Sequence, residues 1–219
     1  MKAEDCRKLV DDLLPAVLAA GRIEMHHFNA GVEVETKADT TPVTVADHEA
    51  EAVLTEGLHK VAPGIPVIAE EAVAAGRVPA IEKSFFLVDP LDGTRAFIKR
   101  SPEFTINIGL IEEHRPVFGI IYVPALEQLY ATLGPDEAVE VSIAPDAQVK
   151  SLADCKATPL KGRDPDPKAL IAFASRSHAS ETTEAFLQRL PIAEKRKASS
   201  SLQVWRIAKG EVDLLSLIH

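Results

Sequence analysis

Cysteine is scarce in this sequence, with only Cys6 and Cys155 among 219 residues. Two cysteines so far apart form neither a disulfide framework nor the paired spacing of a zinc site. Chains without a disulfide framework are typical of reducing compartments, so we expect a cytoplasmic setting.

Long apolar runs are missing as well. No stretch of about 18 or more apolar residues occurs, so we expect no integral membrane span, which leaves at most a peripheral association with the inner membrane. The first residues lack the basic-then-apolar order of a signal peptide. Internal repeats and low-complexity tracts are also absent from the sequence.

Positive charge is in deficit, with 24 Lys and Arg against 33 Asp and Glu and a net charge of −9. Because such a surface repels a phosphate backbone, nonspecific binding to nucleic acid polymers is excluded as a function. A phosphorylated small substrate would need local positive charge, for which metal ions are the obvious source. The hydrophobic share of 46% supplies ample core for one large domain or two closely packed ones.

The stretch 85–95 organises the rest of the chain. Its four consecutive apolar residues, Phe85 to Val88, predict a strand that is buried on both faces and ends at Asp89. Pro90 then removes a backbone donor, which stops the hydrogen-bond ladder.

Two acids, Asp89 and Asp92, frame the turn that follows this strand and stand three positions apart. Asp92-Gly93 is a turn signal, and Thr94 can begin a short helix. Two carboxylates beside free backbone N–H groups suit a hard cation and a phosphate at the helix start. On spacing alone, an ordinary acidic turn that faces solvent is an equal alternative.

Further acids precede this turn. Glu70 and Glu71 end a short predicted strand, Val67 to Ala69, and Asp47 occupies the last position of a capping box that begins a helix predicted over 44–61. Asp47 can satisfy the helix end, approach a metal, or do both. If these acids converge on those of the turn, their repulsion is unfavourable unless a cation neutralises it, which is the physical argument for Mg²⁺.

The periodicity of the remaining sequence predicts alternating helices and strands. Helices are predicted over residues 3–28 (with a kink or break at Pro15), 44–61, 181–190 and 202–209. Strands are predicted over residues 104–111, 116–123, 128–132, 138–143, 169–175, 194–197 and 212–217. This alternation favours an α/β layer architecture. We predict an N-terminal α+β metal-site domain over 1–145 and a C-terminal α/β substrate domain over 146–219.

Taken in order, the acids resemble the motifs of the lithium-sensitive, magnesium-dependent phosphomonoesterase superfamily, which includes inositol monophosphatases, fructose bisphosphatases and bisphosphate nucleotidases. The resemblance lies in Asp47, Glu70-Glu71 and Asp89-Pro90-Leu91-Asp92-Gly93-Thr94. It extends from about Lys37 to the end of the sequence. It implies a layered αβαβα sandwich, a homodimer, and two or three Mg²⁺ ions with inhibition by Li⁺.

The resemblance also implies which residues hold the metal. Glu70, Asp89, Asp92 and the carbonyl of Leu91 match the ligand set, and all are hard oxygen donors of the kind that suits Mg²⁺. Asp92 would also contact the substrate.

Other residues match the groups that act on water and phosphate. Glu70 and Thr94 would orient the attacking water, and Asp47 would lie near a second metal, through water. The N–H groups of Gly93 and Thr94 would hold phosphate oxygens. Lys37 matches the lysine of a mobile loop that helps to assemble the site, and no covalent phosphoenzyme is implied.

Phosphatases of the haloacid-dehalogenase type also carry an Asp-rich Gly-Thr motif after a strand. In that family the two acids are two positions apart, and the first is the nucleophile. Here Asp89 and Asp92 are three positions apart with Pro90 between them, so we reject this assignment.

Three stretches resemble bacterial 3′(2′),5′-bisphosphate nucleotidases more closely than inositol monophosphatases, which remain the alternative. They are residues 97–100 with 103–108, residues 174–178 and residues 200–202. The implied reaction is hydrolysis of adenosine 3′,5′-bisphosphate to AMP and phosphate, with a role in sulfur assimilation.

A nucleotide with two phosphates needs a second anion site. Arg176 and the helix start at Ser200-Ser201 could supply it. Lys99 or Arg100 could contribute further positive charge.

One departure concerns the last metal ligand of the superfamily, an Asp in a Trp-Asp pair downstream of the Ser-Ser-Leu helix. This sequence reaches His219 before any such pair, and its one tryptophan, Trp205, precedes Arg206. We therefore expect weakened or incomplete metal sites, through truncation or loss of a ligand. A structural or regulatory homologue without activity is the alternative, which Mg²⁺-dependent, Li⁺-inhibited phosphate release would exclude.

Overall fold

The structure, a computed structural model, describes residues 1–31, 34–36, 42–81, 83–175, 181–198 and 200–216. Within these ranges the side chains of residues 35–36, 174–175, 197–198, 200–203 and 216 are not described. The chain forms two compact units, Met1–Pro159 and Leu160–His219. Residues 146–159 belong to the first unit. The strand Ala157–Pro159 within them pairs with a sheet of that unit. The predicted domain roles remain predictions.

The first unit combines helices with two sheets. Its helices are α1 Ala3–Ala30, α2 Val45–Val61, α3 Glu70–Ala74 and α4 Thr94–Ile98. Its strands are β1 Val34–Thr36, β2 Pro42–Thr44, β3 Val67–Ala69, β4 Ser84–Asp92, β5 Thr105–Glu112, β6 Arg115–Val123, β7 Gln128–Gly134, β8 Glu137–Ser142 and β9 Ala157–Pro159. Short 3₁₀ turns occupy Pro124–Leu126 and Leu152–Asp154.

A seven-stranded sheet of order β3-β4-β5-β6-β7-β8-β9 is the centre of this unit. In this sheet only the pairing of β3 with β4 is parallel, and the strands from β4 onward form an antiparallel meander. The hairpin between β5 and β6 turns at Glu113 and His114, whose φ angles are 47° and 65°. Positive φ at both central residues is what a tight turn between twisted strands requires.

Helices α1 and α2 cover one face of this sheet. Phe86 and Val88 of β4 point into that core, whereas Leu87 between them is 43% exposed. The prediction that this strand is buried on both faces is therefore wrong at Leu87, because consecutive apolar residues alternate between a covered and an open face.

The first helix lies very close to the sheet. A Cβ atom on Gly21 would come within 2.6 Å of the Tyr122 ring, so only glycine permits this approach. The helix runs unbroken through Pro15, so the predicted break there is wrong. Its buried stripe, which includes Leu13 and Val17, packs against the core and offsets the backbone bond that proline removes.

The second unit is also α/β. It contains β10 Leu170–Ser175, α5 Glu181–Leu187, β11 Ile192–Ala198, α6 Ser200–Ala208 and β12 Leu214–Ser216. The three strands form a parallel sheet of order β11-β10-β12, and Phe173 and Val212 are its buried centre. In the part of the chain that the structure describes, no helix is both long and apolar enough to cross a bilayer.

Candidate active site

The turn after β4 is built on a break in the strand pairing. Asp89 pairs with Asn107 of β5 and Asp92 with Thr105, and the register shifts between the two pairs. Pro90 lies in the shifted segment, where its missing N–H removes no ladder bond. The prediction that the strand ends at Asp89 is therefore wrong, since it rejoins the sheet at Asp92.

Gly93 makes the sharp reversal from this strand into α4. Its φ is +96°, and a Cβ atom there would lie 2.6 Å from the carbonyl oxygen of Glu103. A side chain would thus meet both backbone strain and a steric clash with rigid main chain. Helix α4 begins at Thr94, as the sequence predicts.

Three carboxyl groups come together beside this turn. Burial raises the pKa of Asp89 to about 9, with further increases from the charges of Asp92 and Glu70 and from a hydrogen bond with Glu70. The N–H of Leu91 opposes these effects only in part. With its pKa raised this far, the Asp89 carboxyl holds a proton at neutral pH.

Asp47 connects the start of α2 to the same turn. Its Oδ2 atom accepts the backbone N–H of Thr44 at 2.8 Å and the Thr44 hydroxyl at 2.6 Å, which confirms its predicted role at the helix start. The hydroxyl of Thr94 lies 3.3 Å from the other oxygen of Asp47 and 3.2 Å from the carbonyl of Leu91. Burial raises the pKa of Asp47, and the bonds from Thr44 counteract this. Asp47 can therefore cap its helix and face the turn at once.

The Leu91 side chain anchors the turn. It is 2% exposed and packs in a cluster with Ala46, Phe97 and Phe104. Burying a side chain of this size contributes about 2 kcal/mol, which helps to fix the carbonyl that the sequence predicts as a metal ligand.

Glu24 is a buried acid of this site that the sequence interpretation missed. It is fully buried, and among the described residues neither carboxyl oxygen has a hydrogen-bond partner. Burial raises its pKa well above the ordinary value, and the charges of Asp47 and Asp89 raise it further. The available signal was its spacing, because Glu24 continues the apolar stripe of Val17 and Gly21 at helical intervals.

Glu51 is a second missed acid. It lies one turn after Asp47 on α2, is 8% exposed, and accepts the backbone N–H of Glu71 at 2.6 Å. Burial raises its pKa, and this hydrogen bond lowers it.

The ligand atoms at the turn are of the type that binds a hard divalent cation. Its side chains offer only oxygen, and Asp89 Oδ1 is a buried atom without a hydrogen-bond partner among the described residues. Within those same residues, no group of three or more His, Cys, Asp or Glu side chains already has the arrangement to hold a metal ion. The raised pKa of Asp89 keeps a proton on its carboxyl instead, so binding of a cation would replace that proton.

The predicted substrate-binding residues are divided between several segments. Asp92, Gly93 and Thr94 adjoin the carboxyl cluster. Lys37 and Arg176 lie outside the described residues. Ser200 and Ser201 are the first residues of α6 in the second unit, so this helix begins two residues before the predicted start at 202. The side chains of both serines are not described.

A cavity of about 490 Å³ opens beside Glu70 and Asp89. Its other walls are mostly apolar and include Ile68, Leu87 and Ile121. A largely apolar cavity with a few convergent polar groups is the usual form of a small-molecule site.

The sequence matches the inositol monophosphatase family over residues 8–218. It is 38% identical over 184 residues to the 3′(2′),5′-bisphosphate nucleotidase CysQ of Salmonella typhimurium, covering 84% of this chain and 69% of that protein. It is 36% identical over 209 residues to the CysQ nucleotidase of Escherichia coli O157:H7, covering 94% and 79% of the two chains.

Solved structures share the fold. CysQ from Bacteroides thetaiotaomicron, a bacterial member of the inositol monophosphatase family, superposes with a TM-score of 0.71 at 30% identity, over 95% of this chain and 79% of that one. Inositol monophosphatase from Anabaena gives the same TM-score at 22% identity, over 98% and 77% of the two chains. The predicted α/β fold of this type is therefore confirmed.

Proposed function

The chain belongs to the inositol monophosphatase family, and we propose that it is a 3′(2′),5′-bisphosphate nucleotidase, a phosphoric monoester hydrolase that converts adenosine 3′,5′-bisphosphate to AMP and phosphate. The observation that carries this proposal is the convergence of Glu70, Asp89 and Asp92 at the start of α4. The similarity to CysQ nucleotidases over most of the chain directs the choice of substrate.

Mg²⁺ is the proposed cofactor, and Glu70, Asp89, Asp92 and the carbonyl of Leu91 would hold it. Two or three ions and inhibition by Li⁺ follow from the family resemblance. When bound, Mg²⁺ supplies charge stabilisation to the phosphate and lowers the pKa of the water that attacks phosphorus.

Thr94 would orient that water. Its hydroxyl has one proton, which is shared between Asp47 and the Leu91 carbonyl. Its lone pairs can therefore accept a hydrogen bond from the attacking water, while Glu70 orients the same water from α3. Because burial raises the pKa of Asp47, its carboxylate is more basic than an exposed one and can receive a proton through Thr94.

The start of α4 would hold the phosphate. The first N–H groups of a helix have no partner within it, and those of Gly93 and Thr94 adjoin the carboxyl cluster. Their donor direction complements the charge that develops on the phosphate oxygens in the transition state. This helix is short, so its contribution is local donors and not a long macrodipole.

Selection of a bisphosphate requires a second anion site. The candidates remain Arg176 and the helix start at Ser200-Ser201, with Lys99 or Arg100 as further positive charge. Arg176→Ala would raise KM for adenosine 3′,5′-bisphosphate and leave kcat nearly unchanged, because a contact to the second phosphate acts equally in ground and transition states. We also expect a cytoplasmic homodimer, which sedimentation of the purified protein would test.

The decisive experiment compares phosphate release from adenosine 3′,5′-bisphosphate and from inositol 1-phosphate, with Mg²⁺ and then with added Li⁺. The proposal predicts a preference for the nucleotide, loss of activity in Asp89→Asn and inhibition by Li⁺. Glu56→Gln, an exposed acid of α2, is the matched control and should behave as wild type. Preference for the inositol ester would favour inositol monophosphatase, and no metal-dependent release from either ester would favour the inactive homologue.

A further inference from the structure

Helix α2 carries two buried carboxylates on one face. Asp47 and Glu51 are four residues apart, a spacing that places side chains over one another on a helix. The two residues are 1% and 8% exposed. Asp47 approaches the hydroxyl of Thr94, which follows β4.

Glu51 reaches a different segment of the site. Its Oε2 atom accepts the backbone N–H of Glu71 at 2.6 Å, and the N–H of Ala72 donates to the same carboxylate. These are the second and third residues of α3, whose first N–H groups cannot bond within the helix. Bonds from N–H groups to a charged acceptor are short and strong, so Glu51 fastens the start of α3 to α2.

Glu70 is the first residue of that helix, directly before the two fastened N–H groups. Helix α3 spans only Glu70–Ala74, so its own hydrogen bonds cannot hold it in place. Its position therefore depends on its neighbours, which include β3, β4 and the carboxylate of Glu51. Fixing the N–H groups of residues 71 and 72 also fixes the backbone from which the Glu70 carboxylate projects toward Asp89.

We infer that Glu51 is a positioning residue that holds Glu70 at the separation from Asp89 that Mg²⁺ binding requires. Glu51 and Asp47 lie on one face of α2 and contact the two acidic segments of the site. Glu51 contacts α3, and Asp47 contacts the turn after β4. Glu51 acts through α3. The inference rests on the proposed function, because it assigns Glu70 to the metal.

Two substitutions of Glu51 distinguish its positioning of α3 from the effect of its negative charge. Glu51→Gln keeps the length and an acceptor oxygen but removes the charge. Glu51→Asp keeps the charge but is one methylene shorter, so it cannot reach the same N–H groups without moving α3. Mg²⁺ affinity is measured by calorimetry, with KM and kcat for adenosine 3′,5′-bisphosphate and the thermal midpoint measured on the same samples. Glu56→Gln and Glu56→Asp, on the exposed side of α2, are the matched controls.

We expect Glu51→Asp to weaken Mg²⁺ binding about 10- to 100-fold, the usual cost of losing a residue that orients a metal ligand. Glu51→Gln should stay within about tenfold of wild type, because its amide oxygen still accepts the two N–H groups. Raising the Mg²⁺ concentration should restore most of kcat in Glu51→Asp.

Wild-type Mg²⁺ affinity in Glu51→Asp, or a larger loss of affinity in Glu51→Gln, would overturn the inference. A wild type that binds Mg²⁺ but cleaves neither ester would refute the nucleotidase proposal alone, since the affinities still decide the role of Glu51.

Discussion

Raising the pH from 7 to 10 should strengthen Mg²⁺ binding about 100-fold. Burial and the neighbouring charges of Asp92 and Glu70 raise the pKa of Asp89 to about 9, so at pH 7 the group holds a proton that the cation must displace. Each pH unit below that pKa costs about 1.4 kcal/mol, and two units cost about 2.7 kcal/mol, which is the factor of about 100. Because the ordinary pKa is far lower, the penalty applies at neutral pH and vanishes above the raised pKa.

Calorimetric titration with Mg²⁺ from pH 6 to pH 10 measures this effect directly. Repeating each titration in two buffers of different ionisation enthalpy counts the protons released, and we expect about one per site at pH 7. Glu70→Gln should weaken Mg²⁺ binding. It should also shift the rise in Mg²⁺ affinity to lower pH, because it removes a charge that raises the pKa of Asp89. Glu56→Gln should follow the wild-type curve. A constant affinity between pH 6 and pH 9, with no proton release, would refute the reasoning.

Three further substitutions test single features of the site. Glu24→Leu should stabilise the metal-free protein by about 1–3 kcal/mol in urea unfolding, because it removes a buried carboxyl without a described partner. This gain in stability should grow as the pH rises above about 4.5, because the raised pKa of Glu24 makes the wild type lose stability there. An equal gain at pH 5 and pH 8 would contradict this. Gly93→Ala should lose about 2 kcal/mol or more, given a φ of +96° and the clash with Glu103, and an unchanged unfolding midpoint would be inconsistent. Thr94→Val should lower kcat about 10²- to 10⁴-fold while Thr94→Ser keeps most of it, and similar rates in both variants would exclude a role for the hydroxyl.

The acids at this site show why protons and cations compete for it. Glu24 and Asp47 are buried and Asp89 is partly buried, and each has a raised pKa. Without a cation, a buried group of like charges reduces its repulsion by remaining partly protonated. A divalent cation offers the same relief with stronger attraction, so metal binding and proton release become one linked equilibrium.

Local chemistry made much of the site predictable. Asp92-Gly93-Thr94 required only turn and helix-start preferences, and Thr44 and Asp47 only the pattern of a capping box. The long helix and the meander followed from periodicity, which is most reliable in long amphipathic segments.

What could not be predicted depends on partners distant in sequence. The return of β4 to the sheet at Asp92 depends on Thr105, and the role of Glu51 depends on the N–H of Glu71. Glu24 lies at the helical spacing of buried positions on α1, but its side chain is acidic. Its burial is therefore evident only from the structure, in which the sheet covers this face of α1. The strands β2 and β9, which the sequence did not predict, depend on pairing with β1 and β8.

Diffraction from crystals grown with Mn²⁺, collected at the manganese absorption edge, tests the central claim most directly. Mn²⁺ takes the same oxygen ligands as Mg²⁺ and is visible by its anomalous signal. We expect a peak bonded to carboxylate oxygens of Glu70, Asp89 and Asp92, at about 2.0–2.3 Å. Anomalous density elsewhere on the protein, with none at these three carboxylates, would contradict the account.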